Sequence, residues 1–184
     1  MAKTRFDSLD DRHVTFIAEQ EMFFVATAAP EGRVNVAPKD SASLKVMGPN
    51  RIVWINLTGA ENETSAHLVE SSRMTLMWCS FAQTPMILRA YGHAKLIHPR
   101  DDAWTDLIAL YPERIGSRQI LDVTVDLVLK SCGFGVPLYN FMGHRDTLRR
   151  WEDQKGEEGV RRHWAEHNQT SIDGKPTGLL DSPN

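Results

Sequence analysis

Only two cysteines occur in the 184 residues, Cys79 and Cys132, and they form no CxxC pair. Their scarcity argues against a disulfide framework and against a structural zinc site built on thiolates. Cys79 stands in the apolar run Leu76-Met77-Trp78-Cys79-Ser80-Phe81, where a buried free thiol is expected. An excess of one charge is also lacking: 21 Lys and Arg against 24 Asp and Glu leave a formal net charge of −3. General nucleic-acid and anionic-membrane binders need a basic excess, so neither class fits. A small anion still does, because a phosphate needs only a local cation or a helix N-terminus. No apolar run approaches membrane-spanning length, and Met1-Ala2-Lys3-Thr4-Arg5-Phe6-Asp7 lacks the apolar core of a signal peptide. A cytoplasmic protein is expected, and the Asn-x-Ser/Thr triplets at Asn56, Asn62 and Asn168 are not read as glycosylation sites. Internal repeats and low-complexity segments are absent too.

What is present is ordinary soluble-domain material, 41% apolar and 24% charged, in a chain long enough for one well-filled core. Ser8 and Asp10 offer N-cap oxygens to a first helix carrying Val14, Ile17, Ala18 and Met22 at helical spacing. Residues 22–28 and 34–37 flank the turn Pro30-Glu31-Gly32-Arg33 as a hairpin, with Pro38 ending the second strand or confining it to an edge. Residues 44–46 and 51–56 flank Gly48-Pro49-Asn50 as a second hairpin. A short helix follows over 62–70, then strands over 73–81 and 86–97. In the latter, Leu88, Ala90, Gly92, Ala94 and Leu96 share one face; Arg89, Tyr91, His93 and Lys95 share the other. Trp104, Leu107, Ile108 and Tyr111 mark an amphipathic helix, and residues 122–129 a last long strand. About six strands with few helices between them predict an antiparallel barrel, mainly β with peripheral helices. The barrel domain spans 1–143. Residues 144–184 form a charged helical extension whose Leu148/Trp151 and Val160/Trp164 pairs pack on the barrel or on a partner subunit.

Two features of residues 34–68 suit an anion. Lys39 is a cation just past a strand end, beside a stiffening proline. Thr64 and Ser65 offer hydroxyls and free N–H groups at a helix N-terminus, where the macrodipole favours negative charge. The plainer alternative is that Thr64 and Ser65 only cap the helix while Lys39 is solvated.

The element order, with Phe24-Val25-Ala26-Thr27-Ala28, Asn35-Val36-Ala37-Pro38-Lys39, Asn62-Glu63-Thr64 and Ile87-Leu88-Arg89-Ala90-Tyr91-Gly92, resembles the pyridoxamine 5′-phosphate oxidase-like FMN-binding split barrels. Ser131-Cys132-Gly133-Phe134-Gly135-Val136-Pro137, Arg145-Asp146-Thr147-Leu148 and Thr170-Ser171-Ile172-Asp173-Gly174 resemble a bacterial branch of that superfamily in which many members have no assigned substrate. The resemblance implies a homodimer with FMN in a groove between subunits. Val36, Ala37, Pro38 and Lys39 would line the isoalloxazine and ribityl side, and Trp54, Ile55 and Asn56 the opposite wall. Asn62, Glu63 and Thr64 would sit at the phosphate end, with Arg89 as second cation. The chain departs from the vitamin B6 oxidases: the Arg of their Arg-x-Val-Leu-Leu-Lys segment is gone, and Glu63-Thr64 replaces an Arg-Lys pair. Vitamin B6 oxidation is therefore not expected, and a deazaflavin is an alternative cofactor.

Other signals are weaker. His163-Trp164-Ala165-Glu166-His167 matches the letters of one metallopeptidase motif but has no evident third ligand. Gly133-Phe134-Gly135 lacks the third glycine of a dinucleotide loop and reads as a turn. The expectation is an FMN-dependent oxidoreductase acting on a small organic molecule, with no catalytic acid or base identifiable. A flavin-binding store or sensor without turnover is the alternative; a metal-dependent hydrolase using His163 and His167 is the remote one.

Overall fold

The computed structural model describes residues 4–181; residues 1–3 and 182–184, the two ends of the expected domains, lie outside the described residues. Eight described strands make one antiparallel sheet, curved into a split barrel. They are β1 (Thr4–Phe6), β2 (Met22–Thr27), β3 (Asn35–Asp40), β4 (Leu44–Gly48), β5 (Arg51–Leu57), β6 (Arg73–Cys79), β7 (Ile87–Ile97) and β8 (Ser117–Ser131). The order is β3-β2-β6-β7-β8-β5-β4, with β1 added to β8. The described residues also form four α-helices: α1 (Asp11–Ala18), α2 (Glu63–Glu70), α3 (Trp104–Ile108) and α4 (Thr147–His167). None of the described helices is long and apolar enough to cross a membrane.

Local chemistry explains most of the elements. Asp10 caps α1 by accepting from the His13 amide at 2.9 Å, while the His13 ring accepts from the Asp10 amide. His13, Phe16 and Ile17 are buried there; Met22, expected as part of the helix, instead opens β2. Pro38 is tolerated because β3 is an edge strand, which continues two residues beyond it. Leu88, Ala90 and Ala94 enter the main core with Phe23, Leu76, Trp78, Val123 and Val128, as the period-two reading of β7 predicts. Cys79 is a buried free thiol, and burial pushes its pKa up.

Two further expectations need correction, and one strand went unpredicted. β1 was not legible as a strand, being only three residues long. The last long strand begins at Ser117 rather than near 122. Tyr111 lies beyond α3, and its hydroxyl donates to the Val53 carbonyl at 2.9 Å.

Gly92 sits at a register shift between β7 and β8, where a Cβ would collide with the Thr124 carbonyl. Because that neighbour is backbone, it cannot rotate away. Gly92→Ala should lower Tm by roughly 4–8 °C, from about 2 kcal/mol of overpacking. An unchanged melting curve would show that the strands can separate locally.

Candidate functional site

A groove of about 390 Å³ lies where the end of β3, the end of β5 and the start of α2 meet. Eight of the residues named from the sequence line it: Ala37, Pro38, Lys39, Ile55, Asn56, Asn62, Glu63 and Thr64. Three do not. Trp54 shares a face of β5 with Asn56 but is wholly buried in the main core; the Lys39 ammonium stands 5.5 Å from its ring centroid. Val36 is 61% exposed, pointing to the outer side of the edge strand. Arg89 lies elsewhere on the sheet, donating to the Ser131 hydroxyl at 3.4 Å.

A residue absent from the sequence reading dominates the electrostatics. Arg118, at the start of β8, lines the groove although only 2% of it is exposed. Its guanidinium donates to the Glu61 carbonyl at 3.0 Å, the Asn168 amide oxygen at 2.6 Å and Asn56 Oδ1 at 3.4 Å. Nε has no partner among the described residues. Lys39 Nζ is also 3.4 Å from Asn56 Oδ1, so two cations share one neutral oxygen. Neither has a carboxylate within 4 Å among the described residues. Burial, with the nearby Arg118 charge, pulls the Lys39 pKa down to about 8; burial alone pulls Arg118 to about 10. Removing cations from water without a counterion is expensive, and the arrangement is best suited to an anion brought from outside.

The groove's carboxylates do not supply that counterion: none of Asp40, Glu61 and Glu63 is within 4 Å of Lys39 Nζ or of the Arg118 guanidinium. Glu63 accepts from the Ile172 amide at 2.7 Å, and Asp40 accepts from the Ala42 amide at 2.9 Å. The amides at the start of α2 add to the positive field, since Asn62 makes no side-chain cap. Asn62 instead joins a buried amide cluster, donating to Gln119 Oε1 at 3.1 Å and accepting from Asn56 Nδ2 at 3.0 Å. Ser65 is not a cap either: its hydroxyl accepts from Gln119 and donates to the Thr177 carbonyl, both at 2.7 Å. Thr64 accepts from Asn35 Nδ2 at 3.1 Å. These side chains are held by each other, so the groove is shaped before any ligand arrives.

The family model described as pyridoxamine 5′-phosphate oxidase matches residues 9–132. The chain belongs to that family. All the groove residues except Leu148 lie in the matched segment. The pyridoxamine 5′-phosphate oxidase family protein ustO of Aspergillus flavus is 34% identical over 147 residues, 77% of this chain and 59% of that protein. The chain thus spans about three-fifths of the length of that curated relative. Among solved structures, a candidate pyridoxamine 5′-phosphate oxidase from Lactobacillus delbrueckii is similar at TM-score 0.56 and 18% identity, over 70% of this chain and 98% of its own. A HupZ variant from Group A Streptococcus is similar at TM-score 0.54 and 14% identity, over 66% and 98%. At those identities the likeness establishes the split-barrel fold.

Beyond the matched segment, the extension packs on the barrel of its own chain. Val160, Trp164 and Leu179 form a small core, with Trp164 Nε1 donating to Thr58 Oγ1 at 2.9 Å. Asn168 is fully buried; besides receiving Arg118, its amide donates to the Gly59 and Ala60 carbonyls at 3.3 and 3.2 Å. In this pyridoxamine 5′-phosphate oxidase relative, the tail therefore fixes both the guanidinium and the adjoining loop. The metal reading of His163 and His167 finds no support: no group of three His, Cys, Asp or Glu suited to a metal exists among the described residues.

Proposed function

We propose that the groove binds the phosphate end of FMN and that the protein is a flavin-dependent oxidoreductase acting on a small organic molecule. The observation that carries this reading is the pair of half-buried Lys39 and fully buried Arg118, without a carboxylate within 4 Å among the described residues and converging on Asn56 Oδ1. A phosphate would supply the missing charge and could take charge-assisted hydrogen bonds from both cations and from the α2 amides. The volume falls in the range of small-molecule sites, and Ala37, Pro38, Ile55 and Leu57 offer apolar flanks to a ring. When bound, the flavin supplies the electron-transfer chemistry. The chain's own residues neutralise the phosphate, fix its position and keep water from the buried amide cluster.

The reading includes a homodimer with the flavin at the subunit interface. Supporting it are apolar side chains left in water: Val34 at 72% exposure on the β2–β3 hairpin, and Phe134, Leu138, Tyr139, Phe141 and Met142 after β8. The expected result is a purified dimeric protein with a two-band flavin spectrum, releasing FMN on denaturation as identified by mass spectrometry. Reduction by NADH or NADPH and reoxidation by an acceptor would mark turnover. Release of a deazaflavin would change the cofactor, and failure to take up added FMN would sink the flavin reading. A monomer that keeps its flavin would defeat the shared interface.

A further inference from the structure

Gly156 interrupts α4 with φ +63°, in the left-handed region that glycine enters without strain. The helix folds back there. Trp151 and His163 are twelve positions apart, which would place them about 18 Å apart along a straight helix. Instead their rings meet edge to face with centroids 5.1 Å apart. The result is a helical hairpin, and a cleft of about 580 Å³ opens between its arms and the loop 58–60. This cleft shares Thr58, Gly59, Ala60 and Leu148 with the groove described above, so the two cavities adjoin.

The lining of the cleft is chemically specific. Leu148 and Trp151 give it apolar walls. Of its carboxylates, Glu158 accepts from Arg162 at 3.0 Å, while Glu166 stands 3.7 Å from His167 Nε2, beyond hydrogen-bond distance. Lys155 has no carboxylate within 4 Å among the described residues. His163 Nε2 lies 3.2 Å from the Gly59 carbonyl, which can only accept, so that nitrogen carries the proton. In the neutral ring Nδ1 then keeps its lone pair for a donor. Every hairpin residue of the cleft falls outside the family-matched segment 9–132.

We propose that this cleft is a second binding site, for a planar aromatic molecule bearing a carboxylate. The ring packs on Trp151 and His163, where π surfaces favour offset or edge contacts, and the carboxylate meets Lys155. The far end of the molecule passes Leu148 and the loop 58–60 toward the groove. That this molecule is the substrate rests on the flavin reading; that it binds in the cleft does not.

The test is calorimetric titration of the flavin-loaded protein with 2-naphthoate and with 2-naphthamide, followed by the same titration after flavin removal. Saturable binding of the acid is expected, with the amide about threefold weaker for want of a charge to meet the exposed Lys155. Lys155→Gln, on an exposed side chain, should weaken the acid about threefold, and Trp151→Leu about tenfold, with flavin content unchanged in both. No saturable binding by the loaded protein, or affinity indifferent to both substitutions, would overturn the proposal. Binding that survives flavin removal keeps the cleft even where the flavin reading fails. Binding that appears only with flavin present makes the cleft a substrate site.

Discussion

Replacing Arg118 with Met should weaken FMN by about a hundredfold while leaving the apoprotein's Tm undiminished. The two expectations have one cause. In the free protein the guanidinium is buried, meets only neutral oxygens and leaves Nε unpaired. Its charge is therefore a cost to the fold, as its pKa lowered to about 10 indicates. Methionine fills similar space without a charge, and that gain offsets the hydrogen bonds lost at Glu61 and Asn168. With a phosphate bound, the same guanidinium contributes about 3 kcal/mol through charged hydrogen bonds in a water-poor site, which is the hundredfold. Isothermal titration with FMN and thermal melts of both apoproteins decide the matter. If Tm drops sharply and FMN affinity stays within threefold, Arg118 is a structural strut and the phosphate lies elsewhere.

The second large effect is a pH dependence set by Lys39. With its pKa held near 8 in the free protein, the ammonium loses its proton across the mildly alkaline range. A phosphate binds the charged form, so above that value each flavin taken up must bring a proton with it. Affinity should be nearly flat from pH 7 to pH 8 and then fall, reaching about a hundredfold loss at pH 10. Lys39→Arg, charged throughout, should flatten the profile. A wild-type profile as flat as that variant's would show that Lys39 does not touch the phosphate. The sign for folding is opposite. Between about 8 and the ordinary lysine value of 10.5 the unfolded chain holds the proton and the folded chain does not. Stability of the apoprotein from this group therefore rises with pH through that window.

The pairing of Lys39 with Arg118 shows how far a one-dimensional reading reaches. Lys39 was visible because a cation beside a proline at a strand end is locally unusual. Arg118 carried no such mark. It stands four residues ahead of the alternation that announces β8, in the polar stretch Ser117-Arg118-Gln119. Only the pairing of Asn56 with Gln119 across β5 and β8 draws it under the groove. Trp54 failed in the reverse direction. Its neighbours line the groove, but β5 is buried on both faces from Ile52 to Asn56, so alternation could not say which face the indole takes. The extension is a further case: its short apolar pairs left open whether it packs on the barrel or on a partner subunit, whereas Gly156 folds it so that Asn168 reaches Arg118 of the same chain.

By itself the sequence determined what depends on near neighbours: the Asp10 cap, the hairpins, the inward face of β7, and a split-barrel order of elements that the family match bears out. The tertiary structure alone decided what depends on long-range closure. It placed Arg118, 62 positions from Asn56, against that amide, and it set the hairpin of α4 beside the groove. The reason is physical. Caps and alternation are satisfied within a few residues, so their residue types are constrained locally. The charge and hydrogen-bond balance of a site is satisfied only across strands and helices distant in the chain.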